Sequence, residues 1–165
     1  MLRTGVLAAS TLALGLAFVP VASADPVQTV AYTSADGAWP LQGSASYRGP
    51  GDEIRVWVND DVLKIDVQSG FHDLRVELSA PAGETLHPGA YPGARFRLSS
   101  EPATATPGFL TVTGNFGCGD DYADFTIDRL DQSADGTVAA LDATFVQHCG
   151  TPDGPATHGE VHFTA

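Results

Sequence analysis

The chain has 165 residues, a hydrophobic fraction of 43% and a formal net charge of −12, from 20 acidic and 8 basic side chains. The length suits a leader plus one domain, since a domain of roughly 150 residues buries about two thirds of its unfolded surface. Its apolar content favours a globular chain over a disordered one. The negative charge disfavours nucleic acid and anionic lipid as partners, because binding to phosphates depends on Lys and Arg.

Residues 1–24 have the pattern of a cleaved secretory signal peptide. Arg3 is the only charged residue there, residues 6–19 are an apolar run, and residues 22–24 (Ala-Ser-Ala) form a small-x-small cleavage site. The run is shorter than the roughly 20 apolar residues of a membrane-spanning helix, so no membrane anchor is predicted. We therefore expect a secreted, extracellular protein consisting of one domain, residues 25–165, with 7 basic and 20 acidic side chains and a net charge of −13.

Alternating apolar and polar residues, separated by Gly, Pro, Asn and Asp, predict strands through the rest of the chain. No stretch has an apolar stripe of helical period. The sequence therefore predicts an all-β domain, an antiparallel β-sandwich of about 8–10 strands. The ten predicted segments are residues 27–33, 43–47, 54–59, 62–68, 73–79, 94–99, 109–116, 123–130, 138–149 and 157–163.

Residues 54–79 predict a three-strand meander with a defined register. A two-residue turn at Asp60-Asp61 places all the apolar residues on one face, whereas a slip of one residue would scramble them. The predicted apolar pairs are Val58 with Leu63, Val56 with Ile65, Ile54 with Val67, and then Val67 with Leu74, Ile65 with Val76 and Leu63 with Leu78. The outer face then carries two cross-strand rows of opposite charges, Arg55-Asp66-Arg75 and Trp57-Lys64-Glu77.

Trp57 lies on this predicted outer face beside Arg55 and Asn59, and these three residues form a candidate ligand-binding surface. An exposed aromatic ring on a flat sheet can stack on a sugar, and Tyr32, Trp39 and Tyr47 are candidates for further members of such a platform. The alternative is an indole covered by Lys64 and its neighbours, since long amphipathic side chains commonly cover apolar surface.

The two cysteines predict one disulfide. Cys118 and Cys149 each continue an alternating apolar series, so both sulfurs are expected to point into the core. An even number of cysteines in an exported chain indicates pairing. We therefore expect an intersheet Cys118–Cys149 bridge, which would stabilise the domain by about 3 to 4 kcal/mol through loop-closure entropy.

The last two predicted strands carry a candidate metal site. With Cys149 placed opposite Thr157, His148 falls opposite His158, and Glu160 lies on the same outer face. Two imidazoles and a carboxylate are a credible Zn²⁺ set. The alternative is that these are solvated histidines at the surface.

Catalytic motifs are missing from the sequence. It contains no G-x-S-x-G, H-E-x-x-H, P-loop or GxGxxG pattern. We therefore name no catalytic residues and no cofactor, and we expect a protein that is not an enzyme.

The C-terminal segment carries a resemblance. Residues 143–149 (A-T-F-V-Q-H-C), a Gly/Pro-rich turn and residues 159–161 (G-E-V) resemble the ending of uncharacterised secreted bacterial domains of actinobacterial type. Leu86, Pro88, Gly89, Tyr91 and Cys118 are similar to that group's L-x-P-G-x-Y turn and first cysteine, whereas Val146 and His158 depart from its pattern. The resemblance implies a disulfide-linked β-sandwich, sometimes appended to secreted hydrolases, with no assigned activity.

Together these features predict a secreted non-catalytic binding or accessory module of unknown extracellular ligand or protein partner, with a carbohydrate or the cell-envelope surface as candidate ligands. Two alternatives stay open. One is a metal-assisted hydrolase using His148, His158 and Glu160, and the other is a structural protein-interaction domain.

Overall fold

The computed structural model describes residues 26–165, so the predicted signal peptide lies outside the described residues. The described chain contains strands and no helix, which confirms the all-β prediction. The eleven strands are β1 (Gln28–Ser34), β2 (Ser44–Arg48), β3 (Glu53–Asn59), β4 (Val62–Ser69), β5 (His72–Ser79), β6 (Gly89–Phe96), β7 (Gly108–Thr113), β8 (Phe116–Gly117), β9 (Asp121–Gln132), β10 (Val138–Cys149) and β11 (Ala156–Thr164).

All ten predicted segments overlap an observed strand, and the largest difference is at β6, which begins at Gly89 instead of residue 94. Pro92 and Gly93, which precede the predicted segment, form a bulge within the strand. Gly93 has a φ of +67°, and its N–H donates to Asp124 Oδ1 at 2.7 Å. A bulge takes up the extra residues while pairing resumes on either side.

The strands belong to one continuous sheet, in the order β2-β1-β11-β10-β9-β6-β7-β5-β4-β3, with β8 paired to β7. A short parallel pairing between β6 and β7, Arg95 with Gly108 and Phe96 with Phe109, joins the strands β2-β1-β11-β10-β9-β6 to the strands β7-β5-β4-β3. The prediction of two separate sheets is therefore corrected, because β6 contacts both β9 and β7 and leaves no break between layers.

The sheet is nearly closed and barrel-like. Its edge strand β3 reaches the turn between β9 and β10, where Trp57 forms a bridge with Thr137 and the Val58 N–H donates to the Gly136 carbonyl at 3.1 Å. A Cβ atom at Gly136 would lie 2.6 Å from the Val58 carbonyl oxygen, so this approach requires glycine.

The meander β3-β4-β5 has the predicted register at every apolar pair. Asp60 and Asp61 have φ values of 53° and 60°, as expected for the two central residues of a type I′ turn. In the outer rows, Arg75 makes a two-pronged contact with Asp66, from Nε to Oδ1 at 2.7 Å and from Nη2 to Oδ2 at 3.0 Å.

The core contains a chain of aromatic contacts that crosses the inside of the sheet. Tyr91 stacks on Phe125 with ring centroids 4.7 Å apart, and Phe109 lies 5.4 Å from Phe145. The Phe145 ring occupies the place of a side chain at Gly159, since a Cβ there would lie 2.1 Å from Phe145 Cζ. Gly159 thus lets the ring pack against the backbone of β11.

Cys118 and Cys149 form the predicted disulfide, with Cα atoms 5.8 Å apart and no free cysteine among the described residues. The bridge does not join two sheets as predicted, because all the strands belong to one sheet. The strand from which Cys118 was predicted is interrupted, because β7 ends at Thr113 and a turn leads into β8. Cys118 follows β8 and is nonetheless buried. The pairing was right, although the alternating series leading to Cys118 was not a single strand.

Candidate functional site

The outer face of β1, β11, β10 and β9 carries two rows of mainly polar side chains. Cross-strand pairing places Ala31, Glu160, Thr144 and Thr126 in one row and Thr33, His158, Val146 and Asp124 in the next. Because side chains at alternate positions share a face, all eight residues are on the same surface. The surface combines hydroxyls, carboxylates and one imidazole with two small apolar side chains.

These rows line a groove of about 490 Å³, which we call the outer groove. This volume falls within the range of small-molecule sites, about 300 to 1,000 Å³. Tyr32, Phe145 and Gly159 occupy the alternate positions that face the core, so their backbone contributes the floor. The lining residues are Ala31, Tyr32, Thr33, Asp124, Thr126, Thr144, Phe145, Val146, His158, Gly159 and Glu160.

Asp124 and Glu160 are the acidic residues of the outer groove, and no Lys or Arg lines it. Asp124 is held in place because its Oδ1 accepts the N–H of Gly93 in the β6 bulge. Ionised carboxylates can accept hydrogen bonds but cannot donate them, whereas threonine hydroxyls can do both. The groove therefore favours ligands that offer O–H or N–H donors and disfavours anions.

A second cavity of about 260 Å³ continues the surface and shares Asp124 and Val146 with the outer groove. Its basic group is Arg95, whose guanidinium carbon lies 3.5 Å from the centroid of the Tyr122 ring. Arg95 Nη2 also donates to Asp120 Oδ1 at 3.0 Å. The arginine is thus held by an aromatic face and a carboxylate at this end of the surface.

The three predicted metal ligands share the outer face, but their register differs from the prediction by two residues. His148 pairs with Ala156, His158 with Val146 and Glu160 with Thr144, so the expected pairing of His148 with His158 is wrong. A shift of two residues keeps every side chain on its own face, and the alternation that guided the prediction could not detect it.

The turn after β10 explains the shift. His148 Nδ1 donates to the Gly154 carbonyl at 2.6 Å, and the Gly154 N–H donates to the Thr151 carbonyl at 3.1 Å. Cys149 was expected to pair with Thr157, but the last pair of the hairpin is His148 with Ala156, and Thr157 pairs with Gln147. Within residues 26–165, no group of three or more His, Cys, Asp and Glu side chains could hold a metal ion.

Trp57, Arg55 and Asn59 are on the outer face of β3, as predicted, and Trp57 is half-buried. Trp57 shares a cross-strand row with Lys64 and Glu77. Residues 97–101 cover the far end of this row, because Lys64 Nζ donates to Ser99 Oγ at 3.1 Å and Glu77 is 5% exposed. Tyr32 and Tyr47 instead pack against the core, so the wider aromatic platform does not form.

Sequence reasoning missed a buried polar pair, Asp121 and Gln147, next to the disulfide. Gln147 Nε2 donates to Asp121 Oδ1 at 2.7 Å and to the Trp39 carbonyl at 3.0 Å. Burial raises the pKa of Asp121 to about 7, against the opposing hydrogen bond from Gln147. The available signal was Gln147 itself, a polar residue at an inward position of an otherwise apolar series.

Comparison of the chain with protein-family models, with curated proteins and with solved structures finds no match in any of the three. In the part of the chain that the structure describes, no helix is long and apolar enough to cross a membrane.

Proposed function

We propose that this protein is a secreted, non-catalytic binding or accessory module that holds a neutral, hydroxyl-rich ligand of the carbohydrate class in the outer groove. The observation that carries the proposal is the groove itself, a concave surface of about 490 Å³ lined by three threonines, two carboxylates and one imidazole. Sites of this size hold ligands through a few placed polar groups on a mainly apolar floor.

The lining chemistry matches sugar hydroxyls. Asp124 and Glu160 can accept O–H donors through charge-assisted hydrogen bonds, and Thr144 can donate or accept. Ala31 and Val146 offer contact for the C–H face of a ring. Anionic ligands are disfavoured because the chain carries 20 acidic side chains against 8 basic ones.

Export is supported by the predicted signal peptide and by the Cys118–Cys149 disulfide, since such bonds persist in oxidising compartments. The resemblance of the C-terminal segment to secreted bacterial domains, some of them appended to hydrolases, supports an accessory role at the cell surface.

The test is binding of the purified oxidised protein to a panel of neutral cell-wall and plant oligosaccharides, measured by calorimetry. We expect Glu160→Gln to weaken binding about tenfold, since a hydrogen bond to a charged group contributes about 1.5 to 3 kcal/mol and tenfold corresponds to 1.4 kcal/mol. Glu84→Gln is the matched control, because Glu84 is an exposed carboxylate outside the groove and should leave affinity unchanged.

Trp57→Ala separates the outer groove from the surface formed by Trp57, Arg55 and Asn59. If Trp57→Ala abolishes binding while Glu160→Gln has no effect, the ligand is held on β3 and the groove assignment fails. Absence of binding to every saccharide in the panel would defeat the proposed function.

A protein-interaction domain is the second candidate, favoured by exposed aromatic side chains. Phe71 is fully exposed at the turn between β4 and β5, and Phe116 is 58% exposed. Aromatic residues are enriched at protein interfaces. Phe71→Ser should then reduce capture of a protein partner without changing saccharide binding.

A further inference from the structure

Asp121 and Gln147 form a buried pair beneath the loop that joins β1 and β2, residues 35–43, which we call the Trp39 loop. Asp121 is 0% exposed and Gln147 is 1% exposed. Gln147 Nε2 donates both to Asp121 Oδ1 and to the Trp39 carbonyl. One amide group thus connects a buried carboxyl group to the backbone of the Trp39 loop.

Two atoms of this pair lack a hydrogen-bond partner among the described residues, Asp121 Oδ2 and Gln147 Oε1. An ionised carboxylate and an amide oxygen are both acceptors, so neither can satisfy the other. A proton on Asp121 Oδ2 supplies the missing donor, and the two side chains can then form a reciprocal acid-amide pair. Buried polar atoms without partners are costly, so the geometry favours the protonated acid.

The charges around Asp121 permit this protonation near neutral pH. Burial is the largest cause of its raised pKa of about 7, the hydrogen bond from Gln147 lowers it, the charge of Asp120 raises it and Arg95 of β6 lowers it. The element β10 presents the neutral Gln147 amide and the disulfide-bonded Cys149, and the Trp39 loop presents a backbone carbonyl. His148 is the nearest titratable residue along β10, but it lies on the opposite, outer face.

The Trp39 loop contributes one ring of an exposed aromatic pair, and Phe116 of β8 contributes the other. Trp39 is 39% exposed and makes an edge-on contact with Phe116, with ring centroids 5.3 Å apart. Trp39 Nε1 donates to the Gly117 carbonyl at 3.3 Å. Trp39 is therefore held from outside by β8 and from inside by Gln147.

We propose that Asp121 and Gln147 form a proton-dependent latch, which holds the Trp39 loop and its indole ring against Phe116 when Asp121 is protonated and releases them when Asp121 ionises. In the protonated state, both Gln147 donors are available to Asp121 Oδ1 and the Trp39 carbonyl. In the ionised state, Asp121 Oδ2 and Gln147 Oε1 are both acceptors without a donor between them and repel each other, so the amide turns away and the Trp39 carbonyl loses its donor. This latch is separate from the outer groove and does not depend on the proposed function.

The test uses oxidised protein carrying Trp57→Phe, which leaves Trp39 as the only tryptophan of the two in the chain. Its emission and its quenching by acrylamide are measured from about pH 5.5 to about pH 8.5. We expect emission to shift to longer wavelength and quenching to increase as pH rises, in a one-proton transition with a midpoint near 7.

Asp121→Asn should abolish this transition and keep the low-pH signal throughout, since an asparagine amide can pair with Gln147 at any pH. Asp120→Asn is the matched control and should keep the transition with its midpoint moved to lower pH, because the Asp120 charge raises the pKa of Asp121. His148→Gln should leave the transition unchanged, and its loss in that variant would assign the proton to His148 and overturn the latch.

A direct measurement keeps the proposal testable if Asp121→Asn does not fold. The ¹³C chemical shift of the Asp121 carboxyl group in the wild-type chain should titrate near pH 7 together with the Trp39 signal. Titration below about pH 5, in the ordinary range of aspartate, would overturn the proposal. A Trp39 signal that stays constant across the pH range would do so as well.

Discussion

Asp121 shows how one buried side chain links the stability of this protein to pH. Its pKa is raised from 3.8 to about 7 in the folded chain. The folded state therefore binds this proton more tightly than the unfolded state does. The contribution of Asp121 to stability is fully present below about pH 4, decreases as pH rises from there to about 7, and is lost above that.

We expect wild-type protein to lose on the order of 4 kcal/mol of unfolding free energy between about pH 4 and about pH 8 relative to Asp121→Asn, since one pKa unit corresponds to about 1.36 kcal/mol. The measurement is urea unfolding of both proteins at matched pH. The histidines contribute equally to both, so the difference isolates Asp121. Parallel stability curves for the two proteins would show that Asp121 ionises normally.

At the scale of the element, the hairpin of β10 and β11 depends on one close contact beneath the outer groove. The Phe145 ring fills the space that a side chain at Gly159 would occupy. Since the ring also contacts Phe109 in the core, it has little room to move.

Gly159→Ala should destabilise the protein by about 1 to 3 kcal/mol, because overpacking forces side chains or backbone to shift. Thermal unfolding would measure this change. Gly119→Ala is the control, since a Cβ atom at Gly119 meets nothing within 4 Å. Adding Phe145→Leu to Gly159→Ala should recover part of the loss through a coupling between the two sites. Equal costs for Gly159→Ala and Gly119→Ala would contradict the contact.

At the scale of the whole molecule, long-range links hold the nearly closed sheet together. The disulfide joins the segment after β8 to the end of β10 across 31 residues of sequence. The turn between β9 and β10 meets the edge strand β3 through Trp57 and Thr137. Both links connect parts of the sheet that are distant in the chain.

Replacing both cysteines with alanine should lower the free energy of unfolding by about 3 to 4 kcal/mol, through the lost constraint on the unfolded chain. A lower midpoint of urea unfolding would report it. The wild-type protein treated with reductant should fall to a similar stability. A double variant as stable as the oxidised wild type would show that the fold does not depend on the bridge.

The sequence by itself determined the features that depend on alternation and short turns. The meander register followed because Asp60-Asp61 leaves one pairing that keeps Val56 and Ile65 on the same face. The disulfide followed from having two cysteines in a chain predicted to be exported. The register is a local constraint, because a different pairing would expose apolar side chains. The disulfide has one possible pairing, because any other outcome would leave a thiol unpaired.

Only the tertiary structure decided the features that depend on non-local contacts. Alternation cannot distinguish His148 opposite His158 from His148 opposite Ala156, because a shift of two residues changes no face. The single sheet depends on the pairing of β6 with both β7 and β9, and the burial of Asp121 depends on the position of the Trp39 loop. The outer groove likewise arises where four strands from both ends of the chain lie side by side, an arrangement that no local pattern in the sequence specifies.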